Sequence, residues 1–222
     1  MTLKAENITF SYNSKGKKTK VSNPVLAHFS AEFEREQIVA VTGPNGCGKT
    51  TFGKVLIGIL KQQEGIVRID GINTKEMNLT QIGKKVGYAM QNPMQQIFCA
   101  SVTDEVEYGL KNLDLPIEEI VTRRDYYLSY FQIEQYKDQF PFLLSQGEKQ
   151  RLVLAAVLAM RPNYLILDEP TASLDSYRKK LLGEYLRRIV GELRCGIILI
   201  SHDRAFISKY TDREINMQAG KK

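Results

Sequence analysis

Nine consecutive residues, Gly43-Pro44-Asn45-Gly46-Cys47-Gly48-Lys49-Thr50-Thr51, have the types and spacing needed to hold a nucleoside triphosphate. They fit the pattern G-x-x-x-x-G-K-[ST], in which glycines let the backbone wrap closely round phosphate groups. The amides of Gly46, Cys47, Gly48, Lys49, Thr50 and Thr51 would then point at phosphate oxygens at the positive end of a following helix. Gly43 and Asn45 shape the start of the loop. Lys49 is placed to reach the β- and γ-phosphates, and the Thr50 hydroxyl to ligate Mg²⁺. Cys47, inside the loop near a helix N-terminus and Lys49, is expected to be a reactive thiol whose alkylation inactivates the protein and which bound nucleotide protects.

Two further stretches supply the groups that hydrolysis needs. Tyr164-Leu165-Ile166-Leu167-Asp168-Glu169-Pro170 is an apolar run ending in two carboxylates. A buried strand of an open α/β sheet points its C-terminal end at the ligand. Asp168 is therefore expected at the Mg²⁺, and Glu169, one residue on and facing another way, at the attacking water. His202 follows the apolar run Ile197-Ile198-Leu199-Ile200-Ser201, again at a strand end, and is expected to contact the γ-phosphate. His28, the only other histidine, has no partner motif and is taken as structural.

The elements that must position these groups can be traced from periodicity. Strands are expected at Leu3 to Phe10, Pro24 to Phe33, Ile38 to Thr42, Gly65 to Gly71 (at a sheet edge), Val86 to Met90, Tyr164 to Leu167 and Gly196 to Ile200. Helices are expected at Phe52 to Leu60, through Ser101 to Phe140 with a start near Thr103, at Gln146 to Met160, and at Ser176 to Leu193. Strands alternating with helices around the phosphate loop imply an α/β fold with a mostly parallel sheet. The texture of residues 91–161 marks an inserted helical piece.

Bulk properties narrow the classes further. A chain of 222 residues with 43% hydrophobic and 25% charged residues can build a sizeable core. Its longest apolar run, Leu152 to Met160, is nine residues and lies between Arg151 and Arg161, too short to cross a bilayer. Three dispersed cysteines (Cys47, Cys99, Cys195) do not make a disulfide framework, so a soluble, intracellular chain is expected. The net charge of +6 owes much to Lys15, Lys17, Lys18, Lys20, Lys221 and Lys222, which read as solvated runs. Nucleic acid is not an expected partner.

Leu144-Ser145-Gln146-Gly147-Glu148-Lys149-Gln150-Arg151 resembles the signature motif of ATP-binding cassette (ABC) ATPases, usually Leu-Ser-Gly-Gly-Gln. The other motifs fall in that family's order across nearly the whole chain. The resemblance implies Tyr12 stacking on adenine, Gln91 opening a loop that reaches the Mg²⁺ and γ-phosphate, Ser173-Leu174-Asp175 as the D-loop, and His202 as the switch histidine. It also implies one nucleotide-binding domain over 1–222. A P-loop NTPase core and a small antiparallel β subdomain would occupy about 1–90 and 162–222, and a helical subdomain about 91–161. ATP and Mg²⁺ would lie between two such subunits, the Ser145 and Gly147 of one facing the γ-phosphate held by the other. Gln91 to Phe98, Val102 to Leu110 and Ala155 to Met160 look like the ATPases of energy-coupling-factor (ECF) transporters. That narrower resemblance implies an integral membrane scaffold, a substrate-binding membrane subunit, import of a vitamin or transition-metal ion, and a peripheral place on the cytoplasmic face of the membrane.

Two departures stand out. Gln146 replaces the usual Gly and Glu148 the usual Gln. Ser145-x-x-Glu148 also reads as a capping box. A Glu148 folded back on the Ser145 amide would not repel the phosphate, whereas an outward one would. With Ser145 and Gly147 intact, a working signature is expected. Only twenty residues follow His202, where ECF-type relatives commonly carry a dimerisation domain. That suggests a compact version, a partner in an unequal pair, or half of a longer product. The alternatives from other classes are a soluble ABC ATPase acting on nucleic acid or ribosomes, and a scaffold for cofactor assembly.

Overall fold

The computed structural model describes residues 1–12, 24–172 and 174–217. The lysines of the early loop, Ser173, and Lys221 and Lys222 lie outside the described residues.

Two sheets form the frame. The parallel sheet has the order β6-β7-β8-β3-β9, from Val86–Ala89, Tyr164–Asp168, Gly196–Ile200, Ile38–Thr42 and Arg213–Asn216 respectively. The smaller antiparallel sheet has the order β2-β1-β4-β5, from Leu26–Glu34, Thr2–Phe10, Glu64–Ile69 and Ile72–Asn73. Every residue of β3, β7 and β8 is buried, as expected for parallel strands covered on both faces.

Side chains alternate between those two faces. Val39, Val41, Ile166, Ile198 and Ile200 pack with helix α1 (Lys49–Leu56) and the antiparallel sheet, around Phe33 and Phe52. Ile38, Ala40, Leu165, Leu167, Ile197 and Leu199 pack with helices α5 (Gln146–Ala159) and α6 (Ser176–Leu193), around Leu186 and Ile189. Each fully buried Leu or Ile contributes roughly 1.5–3 kcal/mol over an exposed one, so this two-sided core fixes the strand register. Registry pairs Leu167 with Leu199 and Ala40 with Leu199, so the C-terminal ends of β3, β7 and β8 come out together on one edge.

The helical layer comprises α3 (Val102–Lys111), α4 (Ile117–Tyr130) and α5. The buried stripe of α3, Val102, Val106 and Leu110, has the i, i+4, i+8 spacing of one helix face. A short α2 (Leu79–Gly83) precedes β6, and α7 (Arg204–Tyr210) precedes β9.

Several boundaries differ from the sequence expectation. The phosphate-loop helix starts at Lys49, not Phe52, because the loop turns through Gly48 (φ 100°) directly into it. It stops at Leu56 because Gly58 (φ 73°) turns the chain away. β4 is not an edge strand, since β5 pairs on its outer side. The expected helix from 101 to 140 is broken at Asp114 (φ 55°) and Pro116, and its cap is Ser101, whose hydroxyl accepts from the Asp104 amide, rather than Thr103. Helices Gln146–Ala159 and Ser176–Leu193 form as expected.

Candidate functional site: a phosphate-loop cleft

Along the C-terminal edge of the parallel sheet lies a cleft of about 510 Å³. It is lined by Tyr12, Asn45, Gly46, Gly48, Lys49, Thr50, Thr51, Gln91, Glu169 and His202, with Val25 beside Tyr12. Sequence positions 12 to 202 thus meet at one place.

The loop's shape depends on glycine at two points. A Cβ on Gly43 (φ 148°) would sit 2.3 Å from the carbonyl oxygen of Met217. One on Gly48 would meet Leu26 at 2.9 Å and the Val25 carbonyl at 3.0 Å. Lys49 Nζ donates to the carbonyl oxygens of Gly43 and Pro44 at 3.0 and 3.2 Å, spanning the loop. Tyr12 is half-exposed, its ring edge-on to Phe10, and its hydroxyl is 3.0 Å from that of Thr51. The Ser11 backbone next to it is clamped by Gln63, whose side-chain amide both accepts from and donates to it at 2.9 Å.

Asp168 is buried, and its two oxygens have different partners. Thr50 Oγ1 donates to one at 3.1 Å, and Tyr88 Oη donates to the other at 2.8 Å. Burial holds the Asp168 carboxyl above its ordinary range, while the two hydroxyl donors pull it back down. Burial and the adjacent carboxylate likewise hold the Tyr88 phenol well above its usual value, so it stays a donor.

Glu169 adopts left-handed backbone geometry (φ 47°), which turns its side chain away from that of Asp168 and into the cleft. Its Oε2 is 2.9 Å from His202 Nδ1, an ion-pair distance. Apart from that contact, this buried oxygen has no hydrogen-bond partner among the described residues. His202 itself is largely exposed. A buried carboxylate oxygen with spare accepting capacity is suited to take a hydrogen bond from a water in the cleft.

Three expected residues lie elsewhere. Ser145 caps α5 in the expected capping box: its amide donates to Glu148 Oε2 at 2.7 Å, and the Glu148 amide donates to its hydroxyl at 3.4 Å. Ser145 and Gly147 line a separate groove with Tyr177 and Arg178. Asp175 caps α6, accepting from the Arg178 amide at 2.8 Å. Cys47 is in the loop, but its side chain turns into the apolar cluster under the antiparallel sheet and is 4% exposed, so the expected ready alkylation site is not presented.

The structure also adds residues that the motifs did not disclose. Tyr88 is one. Gln96 is another: its amide nitrogen donates to the Tyr88 carbonyl at 2.8 Å and its oxygen accepts from the Met90 amide at 3.1 Å, pinning the chain on either side of Gln91. Buried Glu105 accepts from the amides of Phe98 and Cys99 at 3.0 and 2.8 Å, fixing the loop after Gln91 to helix α3. Gln150, on α5, donates to the Pro170 carbonyl at 2.8 Å and ties the helical layer to the strand end bearing Asp168 and Glu169. Tyr88 belongs to no motif; Gln96 and Glu105 fall in the stretches that resemble ECF ATPases and Gln150 in the signature stretch, but no local string assigns them these contacts.

A phosphate loop at the end of β3, an acidic pair at the end of β7 and a histidine after β8, on a parallel sheet flanked by helices, define an α/β P-loop NTPase. The ABC transporter family model matches residues 26–172, and the chain belongs to that family as an ATP-binding subunit that hydrolyses ATP. A Pyrococcus furiosus protein named for an ABC transporter ATP-binding role is 42% identical over 200 residues, covering 89% of this chain and 75% of the relative. The energy-coupling factor transporter ATP-binding protein EcfA1 of Bacillus licheniformis is 36% identical over 218 residues, covering 98% of this chain and 75% of the relative. The solved structure of cbiO1 from Clostridium perfringens, described as part of the ABC transporter complex cbiONQ, superposes with a TM-score of 0.87 at 34% identity. It covers 98% of this chain and 85% of that one. Among the described residues, no helix is long and apolar enough to cross a membrane.

Proposed function

We propose that this subunit powers an energy-coupling-factor type importer of a vitamin or a transition-metal ion. It would act as one of a pair of ATPase subunits at the cytoplasmic face of the membrane, beneath an integral scaffold and a substrate-binding membrane subunit. The division into a core and β subdomain (about 1–90 and 162–222) and a helical subdomain (about 91–161) belongs to the same proposal. The observation that carries it is the split of the site: Lys49, Thr50, Gln91, Glu169 and His202 share one cleft, while Ser145 and Gly147 open onto another. Such a split supports completion of each site by a second subunit.

In this scheme the amides of residues 46–51 hold the phosphates, Lys49 leaves the Gly43 and Pro44 carbonyls for the β- and γ-phosphates, and Tyr12 stacks on the base. Among the described residues there is no cluster of three or more His, Cys, Asp or Glu suited to a metal. One buried carboxylate, Asp168, with the Thr50 hydroxyl and the Gln91 amide, instead fits Mg²⁺ completed by phosphate oxygens and water. When bound, that ion neutralises charge on the β- and γ-phosphates. Glu169 orients and deprotonates the attacking water, with His202 beside it contacting the γ-phosphate. Asp175 acts at the contact between subunits. The exposed apolar side chains Met94, Phe98 and Tyr108, just beyond Gln91, support docking of a scaffold helix there. Phe98 and Tyr108 pack edge-to-face at 4.7 Å.

Purifying the tagged chain from its native membranes in mild detergent tests the proposal. An integral scaffold with a small substrate-binding membrane subunit is the expected company. Recovery with ribosomes, nucleic acid or soluble partners alone would overturn the transport reading.

A further inference from the structure

A second cavity, of about 350 Å³, lies at the opposite end of the parallel sheet. It is bounded by residues next to the starts of β3, β7 and β8: Arg35, Asn163 and Cys195. Strands of five residues rise about 3.3 Å per residue, which sets this cavity roughly 16 Å from the phosphate-loop edge. Nothing in the ATPase chemistry uses it.

Its walls combine three guanidinium groups with an apolar floor. Arg161 follows the end of α5 and Arg194 ends α6, both in left-handed backbone geometry (φ 54° and 52°). That position ordinarily favours glycine. Two helices therefore end on strained arginines facing one cavity, joined there by Arg35. Arg35 donates to Asp70 at 3.3 Å through one terminal nitrogen, but its buried Nε has no hydrogen-bond partner among the described residues. Arg161 forms no ion pair among the described residues, whereas Arg194 lies 3.8 Å from Glu36.

Charge bookkeeping favours an anion. The nearby acids are already engaged: Asp70 with Arg35 and Lys85, Glu192 with Arg188, and Glu36 with Arg194. Setting these three acids against the five cations leaves an excess of two positive charges. Two helix C-termini, each carrying about half a negative charge, remove roughly one of them. The apolar lining is Tyr126, Leu158, Pro162 and Leu193, with Tyr127 behind Tyr126 at 5.0 Å. Burial pushes the Cys195 thiol up to about 12, so that wall is neutral.

We infer that this cavity is a binding site for a small organic anion, a phosphate or carboxylate carrying an aromatic body. The anionic group lies among Arg35, Arg161 and Arg194, and the ring against Tyr126, Leu158 and Pro162. The geometry makes Arg161 the main charge partner, because it forms no ion pair among the described residues and Glu192, in the same lining, is paired with Arg188. Arg35 supplies a second guanidinium, held in place by Asp70 through one terminal nitrogen.

Phenyl phosphate is the probe, titrated calorimetrically into the full chain with Glu169→Gln and saturating Mg-ATP, so that the phosphate loop is already filled. One site is expected, weakened by added salt. Arg161→Gln is expected to reduce affinity about tenfold, the size of one lost charge-assisted hydrogen bond. It is an exposed side chain, so the variant should melt like its parent. Inorganic phosphate and phenol should each bind more weakly than phenyl phosphate. Absence of binding, inorganic phosphate matching phenyl phosphate, or unchanged affinity in Arg161→Gln would each overturn the assignment.

Discussion

Replacing Tyr88 by Phe removes one hydroxyl and nothing else. The ring packs beside Gly53 and stays, but the 2.8 Å bond to the buried Asp168 carboxylate is lost. A hydrogen bond to a charged group contributes about 1.5–3 kcal/mol, and Asp168 is too buried for water to replace it freely. For a chain of this length that corresponds to a drop of about 3–12 °C in melting temperature. The pH dependence has a definite sign. A carboxyl whose folded pKa is raised costs stability where it is ionised, above that folded value. The cost vanishes as pH falls below the ordinary aspartate value of about 4. Without the Tyr88 donor the cost grows, so Tyr88→Phe should be most destabilising at pH 8 and approach wild type as pH falls towards 4. Calorimetric melting of the nucleotide-free chain at several pH values measures this directly. A difference below about 1 °C at pH 8, or one that does not shrink on acidification, would refute the role given to Tyr88.

Glu169→Gln is expected to bind ATP, accumulate as a closed pair and lose at least ~10²-fold in turnover. Phosphate release and sizing chromatography report both effects, and hydrolysis within a few-fold of wild type would remove Glu169 from the role of base. Lys49→Ala should lose nucleotide binding in a fluorescent-ATP titration; unchanged affinity would contradict the phosphate-loop assignment. Glu148→Ala breaks the capping box and should cost about 1 kcal/mol in urea unfolding at pH 7. Burial opposes ionisation of Glu148, but hydrogen bonds from the Ser145 hydroxyl and amide and from Tyr136 more than offset it and hold the carboxyl below its ordinary range. The stabilisation is therefore present above the ordinary glutamate value of about 4.3 and lost as pH falls through the lower folded value. A wild-type-to-variant difference that is constant down to pH 3 would contradict the folded-back geometry.

What could be read in sequence was whatever is encoded by neighbours along the chain. The phosphate loop, the acidic pair after an apolar strand, the histidine after another, and the Ser145–Glu148 box are local strings, and each lies where its string indicates. What could not be read depends on sheet pairing. Tyr88 meets Asp168 only because β6 lies parallel to β7, eighty positions away. The edge strand Arg213–Asn216 escaped because it is four residues long, opens on the charged, exposed Arg213 and Glu214, a usual protection of an edge, and leaves no apolar alternation. The break between α3 and α4 did carry a signal in Pro116, which disfavours helix in the residue before it. The surrounding helical periodicity outweighed it.

The inward turn of Cys47 changes what thiol chemistry on this chain would report. A cysteine only 4% exposed and packed in an apolar cluster is not open to a bulky reagent while the loop keeps its shape. Modification must then proceed through transient opening of the loop, and its rate measures how often that opening occurs. ATP would slow the reaction by holding the loop shut rather than by shielding the sulfur. Cys47 is thus a native clock for local unfolding of the phosphate loop, read by following its own modification apart from that of the more exposed Cys99.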